Sequence, residues 1–279
     1  MTVLVVGASS QIGHFLLPRL RATGEPLLAL SREPRPAQAG VRWLQGALPR
    51  NMPALPELSA IISVGPLREL AGWLAQAKLA GAPRVVATSS MSAESKRDSA
   101  VPAERAIARK LREGETALAA ACAAHGCAWT MLRATLVYGA GLDQSLSPIA
   151  RRALRTRLFP IPLARGLRQP VHADDVAQAV LAALDCPAAA GRIVPIGGGE
   201  RLSYPQMFAR VRRSLPRATV ALPVPSWMLH LAGRLRPAWR GPLSRLDSDL
   251  VADNGELQQL LGIHPRPFRP DPTTWQPPA

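Results

Sequence analysis

Thr2-Val3-Leu4-Val5-Val6-Gly7-Ala8-Ser9-Ser10-Gln11-Ile12-Gly13-His14 decides the fold. Thr2–Val6 is short, apolar and rich in β-branched residues, the pattern of a buried strand. It runs straight into a glycine-bearing turn, and the stretch from His14 to Leu20 is amphipathic with helical spacing. Strand, glycine turn and helix together place an anion on a helix N-terminus, the geometry of a dinucleotide pyrophosphate site. Gly7 lets the chain turn off the strand. The backbone N–H groups of Ser9, Ser10, Gln11 and Ile12 are positioned to face a phosphate. Gly13 lets the helix pack close to the sheet. Ser10 stands where a second glycine is usual; its small side chain leaves room for phosphate, and its hydroxyl is a further donor.

Alternating signals continue along the chain. Strand-like runs are Val3–Val6, Pro26–Leu30, Val41–Leu44, Ala60–Val64, Arg84–Thr88 and Ala128–Leu132. Helical stretches lie near Gln11–Thr23, Pro66–Ala80 and Pro102–His125. This alternation predicts an α/β chain with a Rossmann-type, doubly wound parallel sheet. After Tyr138-Gly139 the pattern changes. Ser147–Thr156 reads as a helix, Leu158–Arg168 as an irregular Pro- and Arg-rich stretch, and Val171-His172 as a short strand before a helix over Ala173–Leu184. Arg192–Ile196 reads as a further strand, and the chain beyond Leu202 as helical pieces broken by proline. The expected organisation is a dinucleotide-binding region over residues 1–140, to which 169–198 also contribute. A smaller substrate-side region would comprise 141–168 and 199–279.

The 279 residues are 47% hydrophobic and 19% charged, a globular composition. No apolar run approaches the roughly 18 residues a membrane span needs. The first residues form a core strand rather than a signal peptide, because no basic region precedes them. Cys122, Cys127 and Cys186 have no metal-like spacing, which points to reduced thiols and a cytoplasmic location. The net charge of +15 comes almost wholly from arginine, with Lys78, Lys96 and Lys110 the only lysines. The arginines look scattered and few aromatics interleave with them. The expectation is therefore no nucleic-acid partner and no membrane, but an anionic small ligand.

Six segments in order resemble the extended and atypical short-chain dehydrogenases/reductases, the NAD(P)-dependent epimerase/dehydratase superfamily. They are Gly7–Gly13, Val85–Ser90, Leu132–Gly139, Pro170–Ala177, Gly197–Glu200, and Leu261-Gly262 before Pro265–Phe268. The resemblance implies a nicotinamide dinucleotide across the carboxyl ends of the strands and a small-molecule substrate in the cleft beside them. It adds Val64 and Thr88 as cofactor contacts. It also implies a homodimer through the helices near Pro66–Ala80 and Pro102–His125.

The second strand ends at Ser31-Arg32 with no acid before Glu33. A carboxylate there would hold the ribose hydroxyls of NAD; a guanidinium with a neighbouring hydroxyl suits the 2′-phosphate of NADP. NADP(H) is accordingly favoured over NAD(H). The acid that the family carries after the third strand is replaced by Gln45-Gly46-Ala47.

The chemistry departs from the family. Its enzymes use a Tyr-x-x-x-Lys pair on one helix, in which lysine lowers the phenol pKa and tyrosine moves the proton. The only tyrosines here are Tyr138 and Tyr204, followed four residues on by Leu142 and Phe208, so this chain contains no such pair. Anchored on Glu115, the family's tyrosine position falls on Ile107 and its lysine position on Leu111; Lys110 is about 100° out of phase. Ser90 matches the family's hydroxyl at the end of the fifth strand and is a candidate to orient a carbonyl. Tyr138 is a second candidate, as an acid. His172 beside Asp174 and Asp175 reads as structural. The two function classes are an oxidoreductase or epimerase-like enzyme working without that pair, and a non-catalytic NADP(H)-binding sensor or assembly protein.

Overall fold

The first half of the chain runs β1 (Val3–Val6), α1 (Gln11–Ala22), β2 (Leu27–Ser31), β3 (Arg42–Gln45), β4 (Ala60–Ser63), α2 (Leu67–Leu74), β5 (Arg84–Ser90), α3 (Ser92–Ser95), α4 (Pro102–Ala124) and β6 (Trp129–Ala134). The second half runs β7 (Val137–Tyr138), α5 (Leu146–Thr156), β8 (Leu158–Leu163), β9 (Leu167–Arg168), β10 (Val171–His172), α6 (Ala173–Leu184), β11 (Arg192–Ile196), β12 (Leu202–Ser203), α7 (Tyr204–Arg213), β13 (Val220–Pro225) and α8 (Gly255–Leu261). This is a computed structural model, and it describes residues 2–228, 231, 243 and 246–278.

Seven strands form one parallel sheet in the order β11-β6-β5-β4-β1-β2-β3. The strand order reverses between β1 and β4, and the crevice outside the carboxyl ends at that point is where such sheets bind ligands. Both faces are covered, which is why β1 is apolar without alternation. Val3 and Val5 enter a core with α1 and α6, while Leu4 and Val6 enter the opposite core with α2 and α4. The doubly wound sheet expected from the sequence is present.

α1 starts where the sequence sets it. The Ser10 hydroxyl accepts from the Gly13 N–H at 3.1 Å and caps the helix. Gly7 has φ of 81°, a left-handed conformation that a side chain would strain. A Cβ on Gly13 would lie 2.2 Å from the Ala8 carbonyl oxygen, so α1 sits on its own entry loop at a distance only glycine permits.

Two expectations for the second region need correction. Leu158–Arg168 is not irregular, and the chain after Leu202 is not only helical. β8 pairs in parallel with β13 from Leu158↔Val220 to Leu163↔Pro225, and β9 pairs with β12. Prolines at 160, 162, 223 and 225 mask the strand signal. They are tolerated because, among the described residues, the ribbon has these two strands, leaving each with an edge that needs no N–H donor. The helix expected over Pro66–Ala80 is also shorter, ending at Leu74. A third core joins Tyr138, Leu146, Phe159, Phe208, Phe268 and Trp275 beneath this region.

The contact at Gly13 gives a direct test. Gly13→Ala gains helix propensity but drives a methyl into backbone, and should lower stability by about 2 kcal/mol. Urea denaturation measures it; an unchanged or raised midpoint would show that α1 is not held this close.

Candidate functional site

The first cleft lies outside the carboxyl ends of β1, β2 and β4. It has a volume of about 380 Å³ and is lined by Gly7 and Ser9 from the β1–α1 loop, Ser31 and Arg32 from the end of β2, Gly46 and Ala47 after β3, and Gly65 and Glu69 at the start of α2. The Ser10 N–H donates to the Gly7 carbonyl at 2.9 Å and the Gly13 N–H to the Ser10 hydroxyl at 3.1 Å, which leaves the first two N–H groups of α1, those of Gln11 and Ile12, without a partner among the described residues. The first turn of α1 carries no acid, so nothing competes with an anion there. Gln11 donates from Nε2 to the Val137 carbonyl at 3.4 Å, while its Oε1 is buried without a hydrogen-bond partner among the described residues. That orphan acceptor beside the loop is one a bound ligand's donor would satisfy. A glycine-floored cleft, free helix N–H groups and an unmatched buried acceptor fit a dinucleotide.

The sequence-derived candidates divide. Gly7, Ser9, Ser31 and Arg32 line the cleft. Ser10 and Gly13 build the loop and cap, and Ile12 is buried beneath it. Val64 supports the turn from behind: a Cβ on Gly7 would lie 3.0 Å from its backbone and side chain. The Ser31 hydroxyl is engaged locally, donating to the Glu33 carbonyl at 2.7 Å and accepting from Arg35 Nε at 3.4 Å. Arg32 is exposed at the rim and Arg35 sits over the Trp43 ring at 6.0 Å.

Thr88 and Ser90 are half-buried toward the carboxyl end of β5. The Ser90 hydroxyl accepts from the Ser92 N–H at 3.1 Å, which anchors the turn into α3 and still leaves it a proton to donate. Tyr138 is 1% exposed, clasped edge-on between the His172 and Phe268 rings. Burial, and after it the Asp175 carboxylate, push its phenol well above the ordinary tyrosine range. A phenol so enclosed presents no proton to a ligand, and its place is in packing.

Several site features escaped the sequence reading. Glu115 is buried beneath the end of the sheet. It accepts from the Ser89 hydroxyl at 2.6 Å and from Arg133 at 2.8 and 2.5 Å, while Arg133 also reaches Glu94 at 2.7 Å. This cluster ties β5, β6, α3 and α4 together. One turn and two turns up the same face of α4 stand Leu111, half-buried, and Ile107, 40% exposed. Lys110 is exposed. Lys96 and Glu104 form a buried ion pair of 3.1 Å between the turn after α3 and the first turn of α4.

A second cleft of about 320 Å³ opens between Ser95, Leu136 and Ser145 on the sheet side and Arg168, Tyr204 and Phe208 on the other. Arg168 is buried, donates to the Tyr204 hydroxyl at 2.6 Å and lies over that ring, 4.3 Å from its centroid. Its guanidinium also donates to the Leu167 and Ser248 carbonyls at 2.7 Å, and Asp249 lines the same cleft.

His172 is structural in detail. Its Nδ1 accepts from the Asp174 N–H at 3.1 Å and caps α6. Arg19 and Arg266 close on Asp174, and Arg266 also on Asp175, all at 2.7 Å. Burial alone would raise the Asp174 pKa, but these two guanidiniums more than offset it and hold it below the usual value.

Residues 70–197 match the model of the NAD dependent epimerase/dehydratase family. A UDP-glucose 4-epimerase of Vibrio cholerae is 26% identical over 138 residues, which is 48% of this chain and 41% of that protein's length. Among solved structures, MoeE5 in complex with UDP-glucuronic acid and NAD superposes with a TM-score of 0.71 at 21% identity, covering 96% of this chain and 94% of that one. A Bacillus cereus UDP-glucuronic acid 4-epimerase in complex with NAD gives 0.72 at 15% identity, over 99% and 97%. Fold and family match together bear out the resemblance to the extended short-chain dehydrogenases/reductases.

The His172 cap predicts a pH effect. Burial, then the Arg266 charge, lower the His172 pKa, and the nearby Asp175, Asp174 and Asp271 carboxylates only partly oppose this. A lowered folded value means the stability is fully present above about pH 6.5, the unfolded value, and is lost as pH falls toward the folded one. The melting temperature should fall on acidification below about pH 6.5, before carboxylates titrate. His172→Asn keeps a cap acceptor and should flatten that slope. An equal slope in the variant would assign it elsewhere.

Proposed function

We propose that this chain binds a nicotinamide dinucleotide across the β1–α1 loop and the first cleft, favouring NADP(H) over NAD(H), and takes a phosphate-bearing ligand of the nucleotide-sugar kind in the second cleft. The single observation that carries the reading is the first cleft itself: Gly7 and Ser9 of the β1–α1 loop line it, Arg32 stands at its rim, and α1 rests on that loop at a distance only Gly13 permits. The relatives named above act on UDP-sugars or were solved with them and NAD, which supports the ligand class. Arg168 supplies the charge such a phosphate needs.

A bound nicotinamide supplies a hydride donor or acceptor. This chain's part is to hold it, with the adenosine phosphate at Arg32 and the pyrophosphate on α1. Ser90 orients a carbonyl at the end of β5. With Ile107 and Leu111 in the positions of the family's acid/base pair, proton transfer relies on water or on the substrate. Those two apolar residues, with Tyr138 enclosed, equally favour a second reading: a cofactor-binding sensor or assembly protein that performs no turnover.

Fluorescence titration with NADPH and NADH tests the cofactor assignment. Arg32→Glu should weaken NADPH binding at least about tenfold, the loss of roughly 1.4 kcal/mol, and spare NADH. Tighter binding of NADH than NADPH by the unaltered protein would overturn the NADP(H) preference. Nicotinamide absorbance with a panel of UDP-sugars separates the two classes, since any turnover removes the sensor reading.

A further inference from the structure

The charge of this chain is concentrated, although the arginines look scattered by position. Residues 144–173 contain six arginines and residues 201–246 contain nine, and neither stretch contains an aspartate or glutamate. The rest of the chain balances, with nineteen basic residues against nineteen acidic ones. The entire excess of +15 therefore lies in the two stretches of sequence that contain β8 and β13.

That ribbon has an open apolar face. Alternation along β8 sends Phe159 inward, fully buried and edge-on to Phe208. Leu158 and its partner Val220 are 46% and 59% exposed, and Leu222, opposite the exposed Pro160, is 41% exposed. The chain leaves β13 into a helical turn at residues 226–228, where Trp227 is 65% exposed and Met228 46%. Arg155, Arg157 and Arg217 are exposed where the chain enters the two strands. The first acids beyond this stretch, Asp247 and Asp249, accept from the backbone N–H groups of Arg165 and Leu167.

We infer that this face adsorbs to an anionic membrane surface, with the exposed aliphatic and tryptophan side chains in the headgroup region and the arginines on lipid phosphates. The pairing of an apolar ribbon with charge of one sign is what that surface complements. A nucleic acid would match the charge but leave Leu158, Val220 and Leu222 in water. Tryptophan with arginine suits the membrane–water boundary, where an amphipathic ring and a guanidinium both find partners. No described helix is long and apolar enough to cross a membrane, and adsorption needs none. This revises the expectation of no membrane partner and is independent of the dinucleotide cleft.

Vesicle sedimentation with the full chain tests it. Vesicles of phosphatidylcholine with about one third phosphatidylglycerol should pellet the protein, and phosphatidylcholine alone should not. Raising salt from about 0.05 M to 0.5 M should cut binding about tenfold or more. Val220→Asp with Leu222→Asp should abolish pelleting while circular dichroism and the melting temperature stay close to the parent. Should that pair fail to fold, Trp227→Ser lies beyond the ribbon and should weaken binding, and Arg155→Gln with Arg157→Gln and Arg217→Gln should reduce the salt dependence. Three outcomes would overturn the inference: no preference for anionic vesicles; pelleting by RNA in place of lipid; or a dimer in sedimentation equilibrium that Leu222→Asp splits while vesicles go unbound.

Discussion

Everything at the candidate site depends on one close approach. The chain leaves β1 at Val6 and is helical by Gln11, and in that space it must turn, cap a helix and keep phosphate-sized room. Gly7 meets the first demand by its left-handed φ, Ser10 the second, and Gly13 the third by letting α1 rest on Ala8. Val64 behind Gly7 fixes the loop from the neighbouring strand. The helix N-terminus is thereby aimed at the point where the strand order reverses, which concentrates backbone donors over a single cleft.

This explains why the front of the molecule was legible in sequence and the back was not. β1, β2 and β4 are buried along their whole length because both sheet faces are covered there, and a covered strand carries its signal in its own residues. β8 and β13 carry theirs only jointly: each is proline-bearing, and each becomes a strand by pairing with a partner about sixty residues away. The same holds at the site. Gly7, Ser9 and Arg32 could be placed from local pattern, because turn and helix are local. The Glu115–Arg133–Ser89 cluster and the Arg168–Tyr204 contact could not, since their members come from separate elements. Ser31 lines the first cleft, but its hydroxyl is occupied by its own turn, a local engagement that the residue type alone did not disclose.

Glu115 persists as a buried anchor for Arg133 and Ser89, holding the ends of β5 and β6 in place. The helix face that leads from it presents Leu111 and Ile107, which cannot exchange a proton. What remains is a scaffold with two clefts, Arg32 and Glu69 lining the first and Arg168 and Asp249 the second.

The most direct measurement is a crystal structure with NADP(H) bound. The pyrophosphate should lie over the backbone of Ser9 to Ile12, the 2′-phosphate at Arg32 and a ligand donor on Gln11 Oε1. A dinucleotide whose pyrophosphate lies away from the α1 N-terminus, or a cleft that stays empty at saturating cofactor, would contradict it.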